Sequence, residues 1–186
     1  MREKEKMMDG QPYDADDHEL VKLRLEAKDR CHYYNGIRPS ETEKRRFLLG
    51  ELLGSVAGDI EVLAPFFCDY GSNITLGQGC FFNHGVVMLD PAPIRFGDDV
   101  LVGPGCQFVT ATHPQDPALR LQKIEMAKGI TVGDNVWFGA HVTVLPGVSI
   151  GSRSIIGAGS VVTRDIPEGV IAWGNPCRVQ RSVEDE

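Results

Sequence analysis

The chain has 186 residues, 42% of them hydrophobic, and a formal net charge of −7; that is the length of one domain with a modest extension and enough apolar mass for an ordinary core. The acidic balance argues against a protein that tracks nucleic-acid phosphates, which carries a basic face, and leaves room for a local basic pocket. Residues 1–10 are charged and lack the apolar centre of a signal peptide, and no run reaches the roughly 18–20 apolar residues that span a bilayer, so a cytoplasmic location is expected. Five widely spaced cysteines, Cys31, Cys68, Cys80, Cys106 and Cys177, with no C-x-x-C, read as free thiols in a reducing compartment. Asn73-Ile74-Thr75 fits the N-glycosylation pattern, which such a compartment leaves unused.

In chain order, residues 1–58 read as a helical segment. Leu20, Leu23, Ala27, Cys31 and Tyr34 form an apolar stripe over Asp17–Tyr34 that Asn35-Gly36 stops. Ser40-Glu41-Thr42-Glu43 reads as a capping box opening a second helix to Leu53, ended by Gly54. The two helices are placed to cap an open end of the repeat region that begins at residue 59.

Residues 59–168 carry a repeat. An apolar residue recurs every six positions at Val132, Phe138, Val144, Ile150, Ile156 and Val162. Gly133, Gly139, Gly151 and Gly157 directly follow four of these. The rhythm begins earlier, at Leu76, Phe82, Met88, Phe96, Val102 and Phe108, with two extra residues before Phe96. Neither a helix nor an alternating strand has this period. Three short faces per coil do, and then Val132 stacks on Ile150, Phe138 on Ile156 and Val144 on Val162, eighteen positions apart. The expected fold is all-β, a parallel β-helix solenoid, with the glycines at corners where the backbone turns sharply. Residues 113–129, with Pro114 and Pro117, break the rhythm and read as an excursion loop, a kind of segment that is usually functional or disordered. Residues 169–186 read as a C-terminal tail.

Of the five histidines, His113 stands where repeat gives way to loop. Pro114 biases it to an extended backbone, fixing where its ring points. An imidazole with an ordinary pKa of about 6.5 suits a general base near neutral pH. A base needs an orienting partner; Glu125 in the loop is one candidate and a backbone carbonyl another. Asp116 is expected to pair with Arg120, four residues on.

Arg30-Cys31-His32-Tyr33-Tyr34-Asn35, Cys68-Asp69-Tyr70-Gly71, Met88-Leu89-Asp90, Thr110-Ala111-Thr112-His113-Pro114, Asp134 to Gly139 and Gly174-Asn175-Pro176-Cys177-Arg178, together with the hexads, resemble the hexapeptide-repeat acyltransferases, and within them the maltose and galactoside O-acetyltransferases. The resemblance covers nearly the whole chain. It implies a left-handed β-helix and transfer of acetyl from acetyl-CoA, without a metal, to a sugar hydroxyl, with His113 as general base. It implies a homotrimer with active sites between subunits. Asn83, Asp69, Arg24, Trp137 and Glu125 then fall to the acceptor. Ala140, Ala158, Thr163, Arg164, Arg178 and Arg181 fall to the donor. The small alanines let the slender pantetheine arm lie against backbone, the Ala140 amide is a candidate oxyanion donor, and the two C-terminal arginines suit CoA phosphates. Some relatives carry an acidic residue near position 15, where this chain has Ala15, which weakens a galactoside assignment.

Other readings stay open. On residues alone, Asn83 is as readily a turn asparagine, Trp137 a packing residue, and Asp69, Arg24 and the C-terminal arginines solvated charges. An acetyltransferase for an antibiotic or amino sugar shares these motifs, and a non-enzymatic scaffold shares the hexads. A zinc lyase on the same solenoid needs three histidines around a metal, two of them close in sequence; His84, His113 and His141 are far apart. Gly147 to Gly151 spells G-x-S-x-G, but it lies inside the hexads with no helix after it, so it is no nucleophile elbow.

Overall fold

An apolar residue every sixth position is buried everywhere at once only if each lies over its copy in the next coil. The computed structural model describes residues 1–185, and from Ser55 the chain builds that arrangement: three parallel sheets around one core. The first face stacks Ser55–Val56, Ile74–Leu76, Ile94–Phe96, Ile130–Val132 and Ser149–Ile150. The second stacks Glu61–Val62, Phe81–Phe82, Leu101–Val102, Trp137–Phe138, Ile155–Ile156 and Val170–Gly174. The third stacks Phe66–Cys68, Val86–Leu89, Gln107–Val109, Thr143–Val144 and Val161–Val162. Val132 pairs with Ile150, Phe138 with Ile156 and Val144 with Val162, as the spacing predicts.

The inward residues are buried along the whole axis. Phe82, Phe96, Phe108 and Phe138 form a ladder of edge-to-face rings with centroids 4.9–5.3 Å apart, the favoured geometry for such pairs. The glycines after the inward residues serve a purpose other than the one expected. Gly139 is not in the left-handed region; a Cβ there would lie 2.6 Å from the Ala158 amide nitrogen of the next coil. Stacking, more than turning, demands glycine. The left-handed turns fall elsewhere, at Asn135, His141 and Arg153 among others.

Coils below the excursion are longer. Val102 lies over Phe82 twenty positions on, against eighteen from Phe138 to Ile156. The two extra residues widen the corner between the third and first faces, at Asp69–Asn73 and again at Asp90–Pro93. At the same edge the excursion leaves the solenoid, holding a short helix, α4 (Pro117–Leu121), and the strand Ile124–Ala127.

The N-terminal segment holds three helices, one more than expected: α1 (Glu3–Met8), α2 (His18–Asn35) and α3 (Thr42–Leu52). Helix α1 shows no stripe in sequence because it buries only Met7. Helix α2 starts where Asp17 accepts hydrogen bonds from the Glu19 and Leu20 amides. The capping box does not form: a turn closed by Glu41 N–H to the Arg38 carbonyl takes up Ser40, and Glu41 precedes α3 without a side-chain cap. Ala27, Cys31, Tyr34, Leu49 and Leu52 join the solenoid core, so α2 and α3 seal its first coil. At the other end Val170–Gly174 continues the second face, and Cys177–Ser182 folds back on it antiparallel. No helix among the described residues is long and apolar enough to cross a membrane.

If the ring ladder carries the fold, Phe108→Ala is expected to cost about 3–5 kcal/mol in urea denaturation, while Thr131→Ala, on the outer surface of the first face, stays within about 0.5 kcal/mol of the parent. Equal losses in the two variants would contradict this account of the core.

Candidate active site

A cavity of about 370 Å³ lies beneath α3, and one of about 530 Å³ opens beside the excursion. The second holds the predicted chemistry: Arg24, Asp69, His113 and Glu125 all line it, together with Tyr13, Lys28, Tyr70 and Lys123. His113 follows the strand Ala111–Thr112, which pairs antiparallel with Ile124–Ala127, Thr112 opposite Met126. Ile124–Ala127 in turn pairs with Tyr13–Asp14, so the loop's return strand is clamped on both sides. The His113 ring is exposed and makes no hydrogen bond among the described residues.

One candidate partner, Glu125, is held through one of its oxygens by another group. Glu125 Oε2 accepts a 2.8 Å hydrogen bond from the buried Tyr13 hydroxyl. Arg24 donates to the Tyr70 hydroxyl (2.7 Å) and to the Ala15 carbonyl (2.5 Å). The expected Asp116–Arg120 pair is replaced by backbone bonds. Asp116 caps α4 by accepting from the Ala118 amide, and Arg120 donates to the Pro114 and Gln115 carbonyls. Burial raises the Asp69 carboxyl above its usual range, against the pull of Lys28 and Arg24.

Asp90 organises this corner from beneath. Its fully buried carboxylate accepts from the amides of Asp69, Tyr70 and Asn73, and Asn73 Nδ2 donates back to the Asp90 carbonyl at 2.7 Å. Burial outweighs these donors and pushes its pKa up to about 6. Sequence reasoning passed over Asp90, Tyr13 and Tyr70 as site residues. The two extra residues in the lower coils were the signal for Asp90, since they make the corner it fills; the tyrosines act through contacts far apart in sequence.

The other predicted residues lie elsewhere on the chain. Asn83, Gly103, Gly139 and Gly157 stack in one column at the edge between the second and third faces, each amide N–H donating a hydrogen bond to a carbonyl of the next coil. Ala140 and Ala158 follow that column. Asn83 Oδ1 accepts from the His84 amide at 2.7 Å. Thr163 and Arg164 stand exposed at the edge between the third and first faces, the edge of His113. Arg178 and Arg181 project from the last strand and form no ion pair among the described residues. Trp137 points outward from the second face and is 53% exposed. The G-x-S-x-G serine, Ser149, is an outward strand residue of the first face. One chain therefore gathers His113, Asp69, Arg24 and Glu125 at one edge and leaves Asn83, Ala140 and Ala158 at another.

The stacked hexapeptide solenoid, here with a histidine-bearing excursion beside a polar pocket, is shared by the proteins this chain is similar to. The maltose acetyltransferase hexapeptide capping motif matches residues 6–58, and the bacterial transferase hexapeptide repeat matches residues 129–164. A Saccharomyces cerevisiae protein that bears the name of an acetyltransferase is 46% identical, covering 98% of this chain and 93% of its own length. The maltose O-acetyltransferase of Clostridium difficile superposes with a TM-score of 0.96 at 45% identity, covering 98% of this chain and 97% of its own. A galactoside acetyltransferase in complex with coenzyme A gives 0.95 at 38% identity, over 100% and 92% of the two chains. The chain belongs to the hexapeptide-repeat acetyltransferase family.

Because the folded-state pKa of Asp90 lies above the ordinary carboxylate value of about 3.9, the folded chain holds that proton more tightly than the unfolded one. The stability this contributes is full below about pH 4 and is lost as pH rises through about 6. Asp90→Asn, which does not titrate, is expected to fall further below the parent at pH 4 than at pH 7 in urea denaturation. A gap that widens with rising pH would contradict the assigned shift.

Proposed function

We propose that this chain transfers an acetyl group from acetyl-CoA to a hydroxyl of a simple sugar of the glucose, maltose or galactoside type, with His113 as general base. The observation that carries the reading is the convergence of His113 with Arg24, Asp69 and Glu125 on one pocket, in a chain 45% identical to a maltose O-acetyltransferase. A hexapeptide-repeat acetyltransferase from Vibrio cholerae, in complex with acetyl coenzyme A, is 39% identical over both full chains, which supports the donor.

In this reading His113 takes the proton of the attacking hydroxyl, whose oxygen adds to the thioester carbonyl. The oxyanion of the tetrahedral intermediate is met by the Ala140 amide. The carbon–sulfur bond breaks, the CoA sulfur leaves, and the imidazolium returns the proton to it. Asn83 holds the reacting hydroxyl. Arg24, Asp69 and Glu125 bind hydroxyls remote from it, because charged groups make directional bonds to neighbouring hydroxyls. Ala140, Ala158, Thr163 and Arg164 line the pantetheine path, and Arg178 and Arg181 take the nucleotide phosphates.

The separation of these groups over two edges supports a site completed by a second copy, with the His113 edge of one chain facing the Asn83 edge of the next. The outer surface of the second face supports it too, since Phe81, Leu101, Trp137, Ile155 and Ile171 stack in register, with Leu101 and Trp137 about half exposed. A homotrimer closes such a head-to-tail contact into a ring, and Trp137 then borders the acceptor pocket.

His113→Ala is expected to lower kcat for sugar acetylation by about 10²–10⁴-fold with acetyl-CoA affinity retained; near-normal turnover would remove the mechanism. Co-refolding His113→Ala with Asn83→Ala chains is expected to restore part of the activity that each lacks alone. Failure to restore any, in a mixture shown by light scattering to be trimeric, would place both groups in one chain's own site.

A further inference from the structure

Tyr13 does more than fill space, and the reason is where its polar end goes. The side chain is 1% exposed, in a small core with Met7, Ala15, Leu20 and Tyr70 that is separate from the solenoid's own. Its hydroxyl reaches out of that core to Glu125 Oε2 in the pocket. Burial and the adjacent carboxylate both push the phenol pKa up. The hydroxyl is the donor of this bond and Glu125 Oε2 the acceptor. The other oxygen, Oε1, has no protein partner among the described residues, so the bond fixes the carboxylate while leaving one oxygen for a ligand.

The backbone around Tyr13 extends the hold. Tyr13 pairs with Glu125 and Asp14 with Ile124, and the Ala15 amide donates to the Lys123 carbonyl at 3.1 Å. The Ala15 carbonyl accepts one arm of Arg24, whose other arm donates to Tyr70. Residues 13–15 thus join the helix bearing Arg24 to the strand bearing Glu125. Through the pairing of Thr112 with Met126, they reach the residue before His113.

We propose that Tyr13 is a positioning residue of the transfer site: its buried hydroxyl aims the Glu125 carboxylate at the acceptor, and its strand holds the loop that presents His113. This rests on the reading of the pocket as an acceptor site. Glu125 without its donor is free to swing, and an acceptor hydroxyl must then order it on binding.

The test is a double-mutant cycle of Tyr13→Phe, which keeps the ring in its core, with Glu125→Ala, read as steady-state constants for a sugar acceptor. Tyr13→Phe alone is expected to raise acceptor KM about tenfold, the effect of one hydrogen bond to a charged group. The KM for acetyl-CoA stays within about twofold. In the Glu125→Ala background Tyr13→Phe is expected to add nothing. Independent, additive losses, or a fall in every constant that tracks a lower Tm, would reduce Tyr13 to a packing residue and overturn the proposal. If the parent acetylates no sugar, the function reading fails, and hydrogen exchange then decides the positioning. Faster exchange of the 111–127 amides in Tyr13→Phe supports it, and exchange equal to the parent's overturns it.

Discussion

Everything in this molecule depends on one constraint: each inward side chain must lie directly on its copy in the coil below. That demand sets the six-residue period, removes Cβ atoms wherever the next coil passes within contact, as at Gly139 against Ala158, and lines the axis with interlocked phenyl rings. A prism built this way has little freedom inside it, so chemistry has to be attached at its edges. The excursion does that at the edge where the lower coils are already two residues longer, and the N-terminal segment folds back to meet it.

The meeting is polar and long-range. Asp90, buried beneath the corner, gathers the amides of Asp69, Tyr70 and Asn73. A buried carboxylate is tolerated only when its lone pairs are taken, and here that requirement shapes the turn that presents Asp69. Above it, two phenols hold two of the pocket's charged groups, Tyr13 on Glu125 and Tyr70 on Arg24. The exposed His113 ring has no such partner among the described residues, and neither has the Asp69 carboxylate.

The range of each contact decides how much of it was legible in the sequence. The hexads, and with them the pairing of Phe138 with Ile156, were readable because stacking repeats at a fixed short interval. The stripe of α2 and its start at Asp17 were readable for the same local reason. That His113 lies beside the excursion pocket was readable from its place at a break in the rhythm. Tyr13 bonds a residue 112 positions away, and no local pattern announces that. Where local rules misled, a nearer group had won: the Arg38–Glu41 turn over the capping box, and the Ala118 amide over Arg120 as the partner of Asp116.

The central claim is that the pocket beside the excursion serves an alcohol. It is tested most directly by incubating the purified chain with acetyl-CoA and a panel of neutral sugars and amino sugars, following thiol release and locating the new acetyl group by mass spectrometry and NMR. The account predicts sugar-dependent thiol release with the acetyl group on a hydroxyl oxygen of glucose, maltose or a galactoside. Acetylation confined to the amine of amino sugars, or thiol release that no sugar increases, would contradict it.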